Sequence, residues 1–150
     1  IYSGVKSIKY PADKDMTDGE ICVRYAAAEG FGDVVIYGAL GGRQDHVEGN
    51  IALLYLAKRL GIKAVIKDKD IEIHYADNSR SFFATVKKNI FVSIVPFFSF
   101  VHIIKTTGLK YPLIDARIEK YSSLGISNVA VDEKISVEIK KSAALIIVNG

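Results

Sequence analysis

The first 67 residues alternate between short apolar runs and stretches in which apolar residues recur every three or four positions. The first pattern is typical of buried strands and the second of helices packed on one face. In order, the chain predicts a strand over 5–10, a helix over 17–29, a strand over 34–38, a helix over 47–60 and a strand over 63–67. Strands and helices that alternate over short connections indicate parallel strands with helical crossovers.

After Lys67 the apolar positions follow a period of two. The segments "IEIHYA" and "ISVEIK" alternate, while "NIFVSIV" and "AALIIVNG" are continuous apolar runs of the kind found in strands buried on both faces. Turn signals "DNSR", "KKN", "DEK" and "KKS" lie between them. Several short strands without a convincing helix predict an antiparallel β-sandwich. The chain is therefore divided into an α/β layer over 1–67 and an all-β unit over 68–150.

The predicted α/β layer is thin. Three strands and two helices in 67 residues bury little surface for a stable domain. The sequence also begins without methionine, in the middle of a pattern. We therefore expect an incomplete, Rossmann-like parallel layer whose front part is missing from this chain.

Composition limits the kinds of partner. Net charge is +3 and the 20 Lys and Arg residues are scattered, which favours an anionic ligand over a nucleic-acid surface. The single cysteine, Cys22, excludes a disulfide within the chain. With no apolar run long enough to span a membrane and no recognisable signal peptide, we expect no membrane partner and a cytoplasmic location.

The segment "GGRQDH" follows a buried strand and opens a helix. Gly41 and Gly42 let backbone N–H groups approach a ligand closely, and the helix start favours an anion. Arg43 adds a fork of donors that matches phosphate oxygens. Asp45 beside a phosphate site suggests a metal ligand, a base or an orienting group. The alternative is a glycine turn in which Asp45 caps the helix and Arg43 points into water.

The segment "YPADKDMTDGE" also follows a predicted strand and opens a helix. Thr17 and Glu20 fit a capping box, in which Thr17 accepts from the backbone N–H of Glu20. Aspartates at 13, 15 and 18 are oxygen ligands that suit Mg²⁺ when substrate phosphates complete its shell. The alternative is that these acids only favour the helix dipole. Both segments are predicted at equivalent ends of neighbouring strands.

Two further segments, "TTGLKYPL" over 106–113 and "GISN" over 125–128, interrupt the predicted sandwich and are interpreted as loops. The three histidines are too dispersed for a zinc site. Cys22 is assigned to helix packing, and the group formed by Phe97, Phe98 and Phe100 is assigned to the sandwich core.

Taken in order, "PADKDMTDGE", "GALGGRQDHVEGNIALL", "TTGLKYPL" and "GISN" resemble the thiamine pyrophosphokinase family over nearly the whole chain. The resemblance implies an α/β catalytic domain joined to a β-sandwich, working as a homodimer whose site lies between subunits. It implies transfer of the pyrophosphoryl group of ATP to the hydroxyethyl oxygen of thiamine, giving thiamine diphosphate and AMP, with Mg²⁺ as cofactor.

The resemblance also assigns residues. Asp15 and Asp18 match the acidic, metal-binding positions, and Arg43 and Asp45 match the pair at the reaction centre. The expected nucleotide contacts are Lys14, Thr17, Gly41, Gly42 and Arg43, and the expected substrate contacts are Asn50, Tyr111, Ser127 and Asn128. Tyr111 occupies the aromatic position expected against thiamine, and the 127–128 pair is expected to come from the second subunit.

One departure from the family pattern matters. Nothing here matches its upstream acidic stretch of the G-D-x-D-S kind, whose aspartates complete the metal site. We therefore expect the chain to be an incomplete enzyme, either truncated, cleaved or incompletely represented, and the sequence leaves open whether it is active alone. Two alternatives stay open: a non-catalytic module of the same fold that binds thiamine diphosphate or a nucleotide, and an unrelated phosphate-binding α/β domain.

Overall fold

The computed structural model describes residues 8–11 and 13–150. The elements in this part of the chain follow one another in the order helix, strand, helix and then seven strands. They are α1 Asp18–Ala28, β1 Asp33–Tyr37, α2 Gln44–Arg59, β2 Lys63–Asp68, β3 Ile71–Asp77, β4 Phe82–Thr85, β5 Phe91–Thr107, β6 Ile114–Glu119, β7 Asn128–Val129 and β8 Lys134–Asn149.

The α/β layer contains the predicted parallel pair. Strands β1 and β2 run parallel with Val35 opposite Val65, and α2 forms the crossover between them. The two helices cover one face of this pair and pack against each other, with Val23 of α1 in a buried cluster with Leu53 and Ala57 of α2. The strand predicted over 5–10 is not found at residues 8–10, and residues 5–7 lie outside the described part.

All strands belong to one mixed sheet. Its order is β1-β2-β3-β8-β5-β6, with β4 paired to β8 and β7 paired to β5. The parallel layer passes into the antiparallel part through β2 and β3, which pair antiparallel across a tight turn at Lys69 and Asp70. The predicted succession of a parallel α/β layer and an antiparallel β unit is confirmed. The domain boundary at 67/68 stays a prediction, since the sheet runs through it without a break.

Two long, bent strands build the sandwich. β5 has 17 residues and β8 has 16, and they pair with each other over most of their length. The register slips between Pro96 and Val101, and Ser142 takes a left-handed conformation with φ 69°. The "KKS" turn predicted at 140–142 is therefore wrong: a local bulge bends the strand and lets it continue.

The bend folds the sheet onto itself. The early half of β5 lies against the late half of β8, and the late half of β5 against the early half of β8. Val92 and Ile146 from the first layer and Ile103 and Val137 from the second share one buried cluster. The core therefore sits between two layers made from the same pair of strands, which is the sandwich that the alternating pattern predicts.

An ion pair ties α2 to the turn after β3. Lys58 Nζ lies 3.2 Å from Asp77 Oδ2 and also bonds the Ser79 hydroxyl. Burial alone raises the pKa of Asp77, but hydrogen bonds from Ser79 and the ammonium of Lys58 outweigh it and hold the pKa below its ordinary value. Asp77 therefore stays charged at neutral pH and fixes the helix to the sheet.

Two packing assignments are wrong. Cys22 is exposed, because α1 turns Ile21 and Val23 inward and presents position 22 to solvent. Phe98 is 43% exposed, and it joins Tyr55 and Phe97 in an aromatic group at the bend of β5 rather than the sandwich core. None of the helices in the described part is both long and apolar enough to cross a membrane.

Candidate functional site

The start of α1 packs against the second and third turns of α2. A Cβ built on Gly19 would lie 2.9 Å from Leu53 Cδ1 and 3.5 Å from Asn50 Oδ1. Further along α1, Val23 shares its buried cluster with Leu53 and Ala57, so the helices run in the same direction. Since α2 starts directly after β1, both N-termini lie at the carboxyl end of β1. Two positive helix ends at one sheet edge favour an anionic ligand.

The turn between β1 and α2 is open and its backbone is accessible. Gly41 and Gly42 have φ values of 123° and 74°, which side chains rarely adopt, and no heavy atom lies within 4 Å of a Cβ built at either position. The Asn50 amide donates to the carbonyl of buried Ala39 at 3.0 Å and fixes the turn to α2. The two glycines therefore permit the positive φ values of the turn, and the space over the turn is open to a ligand.

Arg43 and Asp45 form a two-point ion pair. Arg43 donates to Asp45 Oδ1 at 3.1 Å and to Oδ2 at 2.5 Å, and the His46 backbone N–H adds a bond at 3.0 Å. The Arg43 guanidinium holds the pKa of Asp45 below its ordinary value. Arg43, and not Asp45, is the N-cap residue of α2. Asp45 is thus not the N-cap, although its Oδ1 accepts from the first-turn N–H of His46. As the alternative expected, the Arg43 side chain is largely exposed, and the Asp45 carboxylate also faces solvent beside the open turn.

The start of α1 carries a second ion pair. Thr17 accepts a hydrogen bond from the Glu20 backbone N–H at 3.3 Å, which confirms this bond of the predicted capping box. Lys14 Nζ lies 2.9 Å from Asp18 Oδ1, and the Asp18 side chain is 89% exposed. Asp15 is also exposed. Charged groups of both signs thus surround each helix start.

The carboxylates partly fit a magnesium site. Within residues 8–11 and 13–150, no three His, Cys, Asp or Glu side chains are grouped closely enough to hold a metal ion. Asp15 and Asp18 offer exposed oxygen donors of the hard kind that Mg²⁺ takes. Such an ion accepts one or two carboxylates when phosphate oxygens and water supply its other ligands, so two donors fit a nucleotide-bound ion rather than a protein cage.

The sandwich loops that carry Tyr111 and Ser127 lie against each other. Asn128 accepts from Tyr111 N at 3.0 Å and donates to Tyr111 O at 2.7 Å. The ends of the Tyr111 loop are also fixed, since Lys110 N donates to Val129 O and Leu113 N donates to the Thr106 hydroxyl. The Tyr111 side chain is 59% exposed on this support. Three of the predicted thiamine contacts are therefore neighbours.

The two groups of predicted residues lie at one end of the sheet but far apart along it. Register pairs lead from the end of β2 to β7: Asp68 opposite Ile71, Ile71 opposite Asn149, Asn149 opposite Phe91, and Phe91 opposite Val129. From β1 to β7 there are five strand spacings, which is about 24 Å at the usual spacing. Along the sheet, four strands thus lie between the helix starts and the Tyr111 loop.

A cleft of about 850 Å³ lies elsewhere, lined by Lys67, Glu72 and His74. Glu72 bonds Lys67 at 2.6 Å and His74 at 3.1 Å, and burial lowers the pKa of His74. Apart from the alternation of β3, no sequence pattern indicated this group, and the lining of the cleft includes none of the predicted site residues.

Sequence reasoning also missed the residues that support the loops. Ser93 is 8% exposed and its hydroxyl accepts from Ser127 N at 3.0 Å. A Cβ on Gly125 would lie 2.1 Å from the Ile94 carbonyl oxygen. The glycine of "GISN" could have indicated a close backbone approach, whereas Ser93 stands in an apolar run without any distinguishing pattern.

A parallel α/β layer with two helix starts open to an anion, followed by a bent sandwich with an exposed aromatic loop, defines a two-part protein of the α/β plus β-sandwich class. The family profile "Thiamin pyrophosphokinase, catalytic domain" matches residues 2–66, and "Thiamin pyrophosphokinase, vitamin B1 binding domain" matches residues 71–145. The chain belongs to the thiamine pyrophosphokinase family. An unrelated phosphate-binding domain is thereby excluded.

Known relatives agree in sequence and in structure. The chain is 31% identical to thiamine pyrophosphokinase of Bacillus subtilis over 138 residues, covering 92% of this chain and 64% of that protein. The crystal structure of that enzyme superposes with a TM-score of 0.82 at 30% identity, over 92% of this chain and 64% of that one. The crystal structure of the Geobacillus thermodenitrificans enzyme gives 0.81 at 28% identity, over 94% and 65%. The chain thus spans less than two thirds of these relatives.

Proposed function

We propose that this chain transfers the pyrophosphoryl group of ATP to the hydroxyethyl oxygen of thiamine, giving thiamine diphosphate and AMP. The observation that carries the proposal is the pair of helix starts at the carboxyl end of β1, one bearing Arg43 and Asp45 and the other Lys14 and Asp18. Relatives named thiamine pyrophosphokinase match the chain on both sides of residue 67. We also propose the cytoplasm, where ATP is available, as its location.

The polyphosphate would lie over the open glycine turn. Backbone N–H groups at Gly41 and Gly42, together with the two helix ends, would bind its oxygens, and the Lys14 ammonium and the hydroxyl of Thr17 would add contacts at the start of α1. Asp15 and Asp18 would hold Mg²⁺, which neutralises phosphate charge when bound. Release of Lys14 from Asp18 as the nucleotide arrives would free the ammonium for phosphate and the carboxylate for the metal.

Arg43 and Asp45 would act at the reaction centre. The guanidinium of Arg43 is positioned to stabilise charge that gathers on the transferred group. Asp45 holds that guanidinium by two bonds and would orient the attacking hydroxyl of thiamine. Because its pKa is lowered, Asp45 is a poor general base at neutral pH. We therefore assign it mainly to orientation: the bond from the thiamine oxygen to the pyrophosphoryl group forms as the bond to AMP breaks, and the hydroxyl proton is released to solvent late in the transfer.

Tyr111 would bind the aromatic and cationic rings of thiamine. Its side chain is 59% exposed, so a ring face is available for stacking and for a cation–π contact with the thiazolium. Ser127 is exposed beside it and would offer a hydroxyl to the aminopyrimidine. Asn50 stays a proposed substrate contact, although its amide N–H is used by Ala39 O, which favours a role in holding the turn.

A complete site would need two copies of the chain. Because four strands lie between the helix starts and the Tyr111 loop along the sheet, we infer that thiamine and the nucleotide meet across two copies rather than within one. A homodimer in which the Tyr111 loop of one copy meets the glycine turn of the other would bring the two groups together. Exposed apolar side chains in the loop before β7, Leu124 and Ile126 at 57% and 46% exposure, are available for such a contact.

The test is to incubate the purified protein with thiamine, ATP and Mg²⁺ and to quantify AMP and thiamine diphosphate, with calorimetry in parallel. We expect both products in equal amounts. Binding of thiamine diphosphate or nucleotide without AMP formation would favour a non-catalytic binding module of the same fold. An absence of both binding and products would contradict the proposal.

A further inference from the structure

The side chain of Asn128 is used inside the chain. It is 6% exposed and forms a closed pair of hydrogen bonds with the backbone of Tyr111, accepting from its N–H at 3.0 Å and donating to its C=O at 2.7 Å. Its Oδ1 also accepts from Val129 N at 2.9 Å. Of the two amide protons and two acceptor sites of an asparagine, three are thus occupied by main chain.

The geometry of this contact resembles that between two strands. An amide that satisfies both the N–H and the C=O of one residue fixes the orientation of its peptide groups, and thereby the direction of its side chain. Tyr111 is 17 residues away in sequence and has its ring in solvent. Without this support, the ring would be attached to a loop whose backbone polar groups have lost their partner.

Ser127, the residue before Asn128, differs from Asn128 in its exposure and in its hydrogen bonds. Ser127 is exposed and left-handed, with φ 58°, and its backbone N–H is held by the buried hydroxyl of Ser93. This conformation turns position 127 outward while position 128 turns inward. The pair "SN" therefore divides into an outer residue that is accessible to a ligand and an inner residue that supports the loop.

We propose that Asn128 is a positioning residue, which acts on thiamine through Tyr111 and not by direct contact. The inference rests on the proposed function for its effect on thiamine, but the support of the Tyr111 loop is independent of it. It also reassigns the role that family resemblance gives to this position.

A double-mutant cycle on thiamine affinity separates the two roles. We expect Asn128→Ala to raise the thiamine Kd about tenfold, the effect of losing a hydrogen bond between uncharged groups. We expect Tyr111→Ala to raise the thiamine Kd about tenfold or more. Because Asn128 acts through the Tyr111 ring, the double variant should bind within about twofold of Tyr111→Ala. A direct contact would instead multiply the two losses, and that result would overturn the proposal.

A fluorescence reporter tests the support without any ligand. The chain has no tryptophan, so Tyr111→Trp introduces a single reporter at the loop. Adding Asn128→Ala should increase acrylamide quenching and shift emission to the red, whereas Ser123→Ala, an exposed hydroxyl in the same connection, should leave both unchanged. Equal quenching with and without Asn128 would overturn the proposal.

The affinity cycle and the fluorescence reporter together distinguish a failure of the proposed function from a failure of the role proposed for Asn128. If the unmodified protein binds no thiamine, the proposed function fails and the reporter alone decides the role of Asn128. If Asn128→Ala does not fold by circular dichroism, Asn128→Ser replaces it, since its shorter side chain keeps an uncharged polar group at the site but cannot bond both the N–H and the C=O of Tyr111. We then expect a smaller increase in quenching, and an unchanged reporter would count against the proposal.

Discussion

Replacing Asp45 by asparagine is expected to lower turnover about 100- to 1000-fold, the range found when a group that stabilises a transition state is removed. Asparagine keeps the shape of the side chain but loses the charge that holds the Arg43 guanidinium by two bonds. The KM for ATP should change less than about threefold, because the glycine turn and the helix ends are unaltered.

Steady-state rates of AMP formation would provide this comparison. Glu48→Gln is the matched control, since it neutralises an exposed carboxylate one turn further along the same helix. In the described structure, the only side-chain partner of that carboxylate is Gln44. It should leave turnover unchanged. The lowered pKa of Asp45 also predicts that its carboxylate stays ionised from neutral pH down through mildly acidic pH. Turnover of Asp45→Asn within twofold of the unmodified protein would exclude the assigned role.

Replacing Gly125 by alanine is expected to reduce the free energy of unfolding by about 3 kcal/mol or more. The new Cβ would lie 2.1 Å from the Ile94 carbonyl oxygen, a backbone atom that cannot rotate away. The strain would also disturb the 2.8 Å hydrogen bond from Ile94 N to Gly125 O, which joins the loop to β5. The loop that carries Ser127 would therefore separate from the sheet.

Chemical denaturation followed by circular dichroism measures this loss. Gly49→Ala is the control, because a Cβ there meets nothing within 4 Å and position 49 lies in α2. Alanine should stabilise that helix by about 0.5–1 kcal/mol. Should Gly125→Ala unfold at the same denaturant concentration as the unmodified protein, the close packing of the loop on Ile94 would be contradicted.

Patterns in the sequence predicted those structural elements that are determined by residues close together along the chain. The Thr17 cap and the glycine after each helix set the helix ends, and the apolar period set which faces are buried. Arg43 and Asp45 are two positions apart, so their pairing is also within reach of sequence reasoning. The parallel pair β1 and β2 followed from the helix between them.

The missed features depend on distant partners. "KKS" has the composition of a turn, but pairing with β5 keeps β8 extended through it. The bond between Asn128 and the Tyr111 backbone was also missed, because motif resemblance carries no information about a main-chain partner 17 residues away. Likewise, Cys22 lies between two apolar residues of α1, and only the position of α2 decides which side of α1 is buried.

Complementation between two inactive variants tests most directly the central claim, that one site is assembled from the helix starts of one copy and the Tyr111 loop of another. At a thiamine concentration well below the Kd, Arg43→Ala should be nearly inactive in forming thiamine diphosphate, and Tyr111→Ala should keep about a tenth of the unmodified activity or less. In a statistical mixture, half of the dimers carry both variants and one of their two sites is intact, so about a quarter of the unmodified activity should return. Arg43→Ala mixed with Asp45→Asn should recover nothing. If affinity-tagged mixed dimers form and the first pair also stays inactive, a site shared between copies is contradicted.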